Sequence, residues 1–271
     1  MIIQYGSTPL TVANPEFGYK VRVQTAMRIA QRADGSYSIY DPSYIYDTYF
    51  CTCTAFLHVL DMADLMDVFL NIAKGRGMQV TLTPGTGFYP FGPYRGDVGP
   101  FSVKIMDIKQ KTTVGHPEDY IPTELTFAYT GGAFPSYAPA SQVAEGDLTI
   151  GLISGLRWPN SQPSLTADYG IDAQVTHGNY AYIIDRTISK DTYQTEMGLV
   201  LNQTNMAALQ NYLLATGRGG TISITPPANT YLFGVENLST DTYSVNWING
   251  SLEMTNETFN RWTTKLTFNT I

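Results

Sequence analysis

Charge is scarce in this chain. Asp, Glu, Lys and Arg make up 14% of its 271 residues, where about a quarter is usual for a soluble domain. So sparse a surface, with 19 Tyr and 12 Phe, suits either a protein covered by partners or a large all-β protein, since aromatics and Thr favour strands. Cysteine is nearly absent. Cys51 and Cys53 stand two apart in a strand-like run, on one face; such neighbours rarely bridge, so reduced thiols and no disulfide framework are expected. The three histidines, His58, His116 and His177, are far apart and form no His-x-x-x-His pair, and there is no Cys-x-x-Cys. The usual zinc spacings are therefore excluded. No apolar run approaches a membrane span, and Met1-Ile2-Ile3-Gln4-Tyr5 carries neither a basic region nor a long apolar core. No signal peptide and no membrane insertion are expected, which makes the Asn-x-Ser/Thr matches at Asn202, Asn237, Asn249 and Asn256 chance ones. Basic residues number 16 against 23 acidic, for a net charge of −7. That balance opposes tight nucleic-acid binding, though not DNA passing an acidic channel without sticking. A Gly-x-Ser-x-Gly elbow, a Walker loop and a kinase set are all missing, so no catalytic residue, metal or cofactor is assigned and no enzyme is expected.

What the chain has is a repetition. Gly75-Arg76-Gly77 returns as Gly217-Arg218-Gly219, 142 residues later. The register then holds: Val80-Thr81-Leu82-Thr83-Pro84 with Ile222-Ser223-Ile224-Thr225-Pro226, Phe91-Gly92 with Phe233-Gly234, Phe101-Ser102-Val103 with Tyr243-Ser244-Val245. Self-similarity over so long a gapless stretch points to a tandem duplication. The expected units are residues 1–131 and 146–271, joined by a Gly-, Pro- and Ala-rich linker at 132–145.

Periodicity gives each unit a strand, a helix and further strands. Short apolar runs at Ile2-Ile3 and Leu10-Thr11-Val12 suggest an entry strand and loop. A strand is expected over Val21 to Ala30, with a hairpin cue at Asp34-Gly35. From Tyr49 to Val59, Tyr49, Cys51, Cys53, Ala55, Leu57 and Val59 alternate onto one face. A helix is expected from Asp61, as N-cap, to Lys74, on the stripe Met62, Leu65, Met66, Phe69, Leu70 and Ala73. Gly75 ends it as the left-handed residue after the cap. In the second unit Asp191-Thr192-Tyr193 echoes Asp47-Thr48-Tyr49, Asn202 or Thr204 caps a helix over Asn205 to Thr216, and Gly217 ends it. Asp61, Gly75, Gly77, Gly217 and Gly219 are thus assigned structural cap roles. Both units finish in a strand, at Leu125-Thr126-Phe127 and Leu266-Thr267-Phe268. The expected fold is mainly β: two tandem antiparallel sandwich or partial-barrel domains, each with one packed helix.

Three motifs invite sharper readings. Gly75-Arg76-Gly77 suits a phosphate chemically, but phosphate loops open helices and this one closes a helix. Arg95-Gly96-Asp97 matches a cell-adhesion tripeptide, yet it sits in a Gly-rich run where a turn is the simpler reading. Cys51 and Cys53 would need a histidine base, and His58 falls on the opposite strand face; His116-Pro117-Glu118-Asp119 has no partner ligands nearby in sequence.

The order strand, helix from Asp61 to Lys74, strand at Val80 to Thr83, then strands at Phe101 to Met106 and Leu125 to Tyr129, repeated over Met206 to Phe268, resembles the bacteriophage tail-tube fold. That family comprises tail tube, distal tail and baseplate hub proteins. The resemblance spans nearly the whole chain and rests on architecture and duplication. It implies a structural virion protein, made in the host cytoplasm and placed in the phage tail. Such a protein would form a ring at the tail tip that joins the tube to the adsorption apparatus and lets DNA pass. Rings of this family present six tube domains, so a chain carrying two implies a trimer, with a hexamer as the alternative; the acidic balance then predicts a negative lumen. Its partners would be itself and other tail proteins, such as tube, tip or hub. A repeating tube subunit, a receptor- or carbohydrate-binding β-sandwich using the Tyr-rich stretch at 36–49, and a hydrolase are the rival readings.

Overall fold

The computed structural model describes residues 1–26, 28–31, 37–40, 47–72, 79–111, 119–131, 134, 141–168, 171–175, 181–185, 192–215, 220–233, 235–237 and 241–270. In the first half they form β1 (Ile2–Tyr5), β2 (Thr8–Thr11), β3 (Lys20–Gln24), β4 (Arg28–Gln31), β5 (Tyr37–Tyr40), β6 (Thr48–His58), α1 (Val59–Asp67), a π-helical continuation (Val68–Ile72), β7 (Gln79–Thr83), β8 (Phe101–Gln110) and β9 (Tyr120–Tyr129). The second half contains β10 (Leu148–Ile150), β11 (Ile153–Leu156), β12 (Ser164–Asp168), β13 (Ile171–Val175), β14 (Ala181–Asp185), β15 (Thr192–Leu201) and α2 (Gln203–Ala215). It continues with β16 (Thr221–Thr225), β17 (Thr230–Leu232), β18 (Val235–Asn237), β19 (Tyr243–Trp247), β20 (Ser251–Thr258) and β21 (Arg261–Thr270).

The protein is mainly β and antiparallel, with one α-helix in each half. Strict alternation drives the strands: along β6 the residues Tyr49, Cys51, Cys53, Ala55 and Leu57 are buried, while those between them are not. Along β21 Trp262, Thr264, Leu266 and Phe268 do the same. One face of each strand is thereby committed to the core, and both helices pack on it. The expected strand at Val21 to Ala30 is two strands, β3 and β4. The chain breaks between them where Thr25 turns to the second half and the amide of Ala26 donates to Asp47. Asp34-Gly35 lies outside the described residues, between the paired strands β4 and β5.

Pairing order is the same in the two halves. The first runs β3-β6-β9-β8-β7-β1-β2, and the second runs β12-β15-β21-β19-β16-β10-β11. The registers agree as well. Val80 faces Val103 and Ile222 faces Val245, both shifted by 142. Cys53 faces Leu125 and Met197 faces Leu266, shifted by 144 and 141. Lys20 faces Thr52 and Ser164 faces Glu196, both shifted by 144. The offset changes in connections between strands and at the bulge in β8, where small insertions are tolerated.

The two halves do not pair as separate sheets. One 15-stranded sheet contains strands of both, because β20 pairs with β21 on one edge and with β3 on the other. Its origin is local. Where β8 carries a bulge at Met106, the second half has Ile248-Asn249-Gly250 between β19 and β20. The longer break frees β20 to serve two neighbours.

The start of α1 differs from expectation, while the cap of α2 is one of the two expected. Asp61 is not the N-cap of α1: His58 is, its Nδ1 accepting from the Leu60 amide at 3.3 Å, so Asp61 lies within the first turn. There its carboxylate still faces the positive end of the helix dipole. Val59, expected on the buried face of the strand, is instead the first residue of α1 and 37% exposed, next to Leu60 at 67%; its apolar side chain continues the strand's alternation, which hid the true start. In α2 the cap is Asn202, whose Oδ1 accepts from the Asn205 amide at 2.8 Å and from Thr204 Oγ1 at 2.7 Å. Gly75, Gly77, Gly217 and Gly219 lie outside the described residues.

Candidate assembly surface

The junction between the halves is built from β3, β20, α2 and the Gly-rich loop after β7. Val21 and Val23 on β3 are fully buried opposite Met254 and Leu252 on β20. Past the end of the ladder, the Asn256 amide donates to the Tyr19 carbonyl at 3.0 Å, and at the other end the Thr25 amide and Oγ1 both donate to the Gly250 carbonyl, at 3.1 and 2.8 Å. Tyr19 stands edge-on to Phe88 at 5.1 Å and to Trp262 at 5.6 Å, tying the two cores. Burial pushes its phenol pKa up, against a smaller lowering by the Tyr89 amide that donates to its oxygen at 3.1 Å.

Helix α2 is enclosed. Gln210 is fully buried; its Nε2 donates to the Phe91 carbonyl at 2.9 Å and its Oε1 accepts from the Tyr94 amide at 3.0 Å. Gly92, at φ +90, lies so close that a Cβ there would run into Gln210. At the helix start Asn205 holds the linker, accepting from the Val143 amide at 3.1 Å and donating to its carbonyl at 2.7 Å. Past α1, Leu70 on the π-helical continuation is 56% exposed among the described residues, whereas its counterpart Leu214 is 4% exposed.

No known protein family matches this chain, and no curated protein does.

The remaining sequence candidates resolve into structural roles. Arg95 sits in an aromatic box, with its guanidinium carbon 4.4 Å from the Phe134 ring centre, 5.1 Å from Tyr94 and 5.3 Å from Tyr49, and Nη2 donates to the Tyr49 hydroxyl at 2.8 Å. Asp97 accepts from the Gly87 amide at 2.8 Å. The Arg-Gly-Asp turn is therefore folded inward: Arg95 is spent on β6 and the linker, and Asp97 on its own loop. Arg95→Ala should lower stability by roughly 1–3 kcal/mol through the lost cation–π contacts and hydrogen bond; a urea midpoint unchanged within error would contradict this.

Both cysteines are free and buried on β6. Burial, then the neighbouring Cys53, pushes the Cys51 thiol well up. His58, at the helix start, lies on the other face and meets Tyr120 edge-on at 5.6 Å. His116 and His177 lie outside the described residues. Among the described residues no three His, Cys, Asp or Glu side chains converge as a metal site would need. A thiol reagent should react with the native protein only through unfolding, at least about a hundredfold slower than with denatured chain; rapid native labelling would contradict the burial. Because the folded Cys51 pKa is raised, its share of stability is full below the ordinary thiol pKa. That share falls as pH rises above it, where only the unfolded thiol ionises.

The helix-free face of the sheet is rich in hydroxyls and mixed in charge. Lys265 pairs with Glu196 at 2.6 Å, Lys109 with Asp107 at 3.0 Å and Lys111 with Glu124 at 3.1 Å. Across the junction this face forms a hollow of about 320 Å³ bordered by Lys20, Arg22, Phe50, Thr52, Glu253 and Thr255. Helix α1, by contrast, carries Asp61, Asp64 and Asp67 and no base. Sequence reading missed the junction itself. The available signal was Asn249-Gly250 interrupting the run that is continuous in β8.

Proposed function

We propose that this protein is a structural subunit of a bacteriophage tail tip, two tube-like domains in tandem that build a ring joining the tail tube to the adsorption apparatus. The observation that carries the reading is the repeated pairing order, with its two instances set side by side in one sheet through β20 and β3. Lateral joining of this kind supports three chains with six domains in one layer over six chains with two layers. The helix-free face is the surface we assign to the DNA passage. It offers threonines and paired charges of both signs and no basic stripe, which suits transit without binding. The acid excess predicted for a lumen instead has its clearest cluster on α1. Neighbouring tail proteins would contact the rims and the outer, helical side.

The test is the mass and shape of the purified assembly. Three chains per particle and a ring with a DNA-wide hole in electron micrographs are expected. Six chains would overturn the trimer, and a monodisperse single chain at tens of micromolar would overturn the ring.

A further inference from the structure

The internal junction has two open counterparts at the ends of the same molecule. Strand β12 matches β3 in register, yet β3 lies between β6 and β20 while β12 pairs with β15 alone among the described residues. The consequence shows in burial. Val21 on β3 is fully buried, whereas its counterpart Leu165 is 44% exposed, between exposed Ser164 and Thr166.

The other open edge is on β8. Gln110 faces Thr123 as Met254 faces Thr264, and the Lys111 amide donates to the Pro122 carbonyl at 2.8 Å, so residues 108–111 are the counterpart of 252–255 on β20. The β20 residues carry β3 on their far edge, and Leu252 and Met254 are each 1% exposed. Residues 108–110 pair with β9 alone among the described residues; Ile108 is half-buried, and Lys109 and Gln110 are exposed. One edge thus lacks a β20 and the other lacks a β3.

We propose that these edges meet between two copies of the chain, residues 108–111 of one against β12 of the next, repeating the β20–β3 pair. The internal register, shifted by 144, sets the external one: Lys111 opposite Ser164, Gln110 opposite Leu165, Lys109 opposite Thr166 and Ile108 opposite Ala167. A second observation points the same way. The internal junction also lays the loop at Phe91 to Tyr94 over α2, while Leu60 on α1 and Leu70 on its π-helical continuation stand 67% and 56% exposed. The same displacement brings the counterpart turn, at Phe233 of the neighbour, to α1 and its continuation. The contact is head to tail, so each copy keeps one edge of each kind and the series closes into a ring when the rotation allows. The proposal specifies the partner surface of the ring described above, and rests on that reading.

The full-length protein tests it by native mass and by disulfide trapping. Lys109→Cys with Thr166→Cys in one chain should yield covalent multimers on mild oxidation, whereas the off-register pair Lys109→Cys with Ser164→Cys should yield at least about tenfold less, since bridging requires Cα atoms within roughly 7 Å. Leu165→Lys and, separately, Gln110→Lys place a charge on an exposed edge and should weaken assembly at least about tenfold while leaving the thermal midpoint of the isolated chain in place. A multimer that ignores both lysines and traps neither pair overturns this interface and leaves the ring reading standing. A chain that is single at tens of micromolar overturns both.

Discussion

Trp262→Ala should remove about 3–5 kcal/mol of folding stability, a large share of the roughly 5–15 kcal/mol that a folded domain has. Trp262 is fully buried on β21, in the second half, but its ring packs edge-on to Tyr19 and, at 6.4 Å, to Tyr89, both in the first. Its indole N–H has no protein acceptor among the described residues, so truncation loses packing and leaves no new orphan behind. The effect should therefore reach across the chain. Urea unfolding followed by near-ultraviolet circular dichroism, and in parallel by exposure of the Cys51 and Cys53 thiols, should show both midpoints falling together. A thiol midpoint that stays put while the dichroism shifts would mean that the halves unfold separately. A loss under about 1 kcal/mol would mean that the aromatic cluster does not join them.

A change at Gly151 should be nearly as damaging. This residue turns the chain between β10 and β11 at φ +60, its amide donates to the Ser223 carbonyl at 2.7 Å, and a Cβ would collide with the Tyr212 ring. Gly151→Val adds about 1–2 kcal/mol for the left-handed backbone and about 1–3 kcal/mol for overpacking against a helix that cannot retreat, because α2 is buried on both flanks. Gly198 is the control. It lies within β15 with nothing near its missing Cβ, so Gly198→Ala should be neutral or stabilising by up to about 1 kcal/mol. Thermal melts of the two variants should move in opposite directions, or one should hold while the other falls. Equal losses would show that neither the left-handed backbone nor the Tyr212 contact sets Gly151 apart.

The strands that alternate cleanly were legible from sequence because one face of each is buried. Tyr49, Cys51, Cys53, Ala55 and Leu57 announce β6, and Ile222 and Ile224 announce β16, in a period that only a half-buried strand produces. The start of α1 was not legible. Val59 and Leu60 are apolar yet exposed, and the cap is a histidine belonging to the preceding strand. The Arg-Gly-Asp run already read as a turn, but the sequence did not show what holds it: Tyr49, Tyr94 and Phe134, from three separate segments, surround Arg95.

By itself the sequence determined the β class and the one helix per half, and it showed the 142-residue shift that relates Val80 to Ile222 and Val103 to Val245. These are local or near-local properties, set by alternation, turn residues and the self-similarity of the chain. Only the tertiary structure decided how the halves meet. That β20 has a second partner, that Gln210 locks α2 under the loop at Phe91 to Tyr94, and that β12 and residues 108–111 have one strand partner each among the described residues all depend on contacts between residues far apart in the chain. Backbone edges carry no residue code, since any strand offers the same N–H and C=O groups; what selects the partner is which edge the rest of the fold has left uncovered.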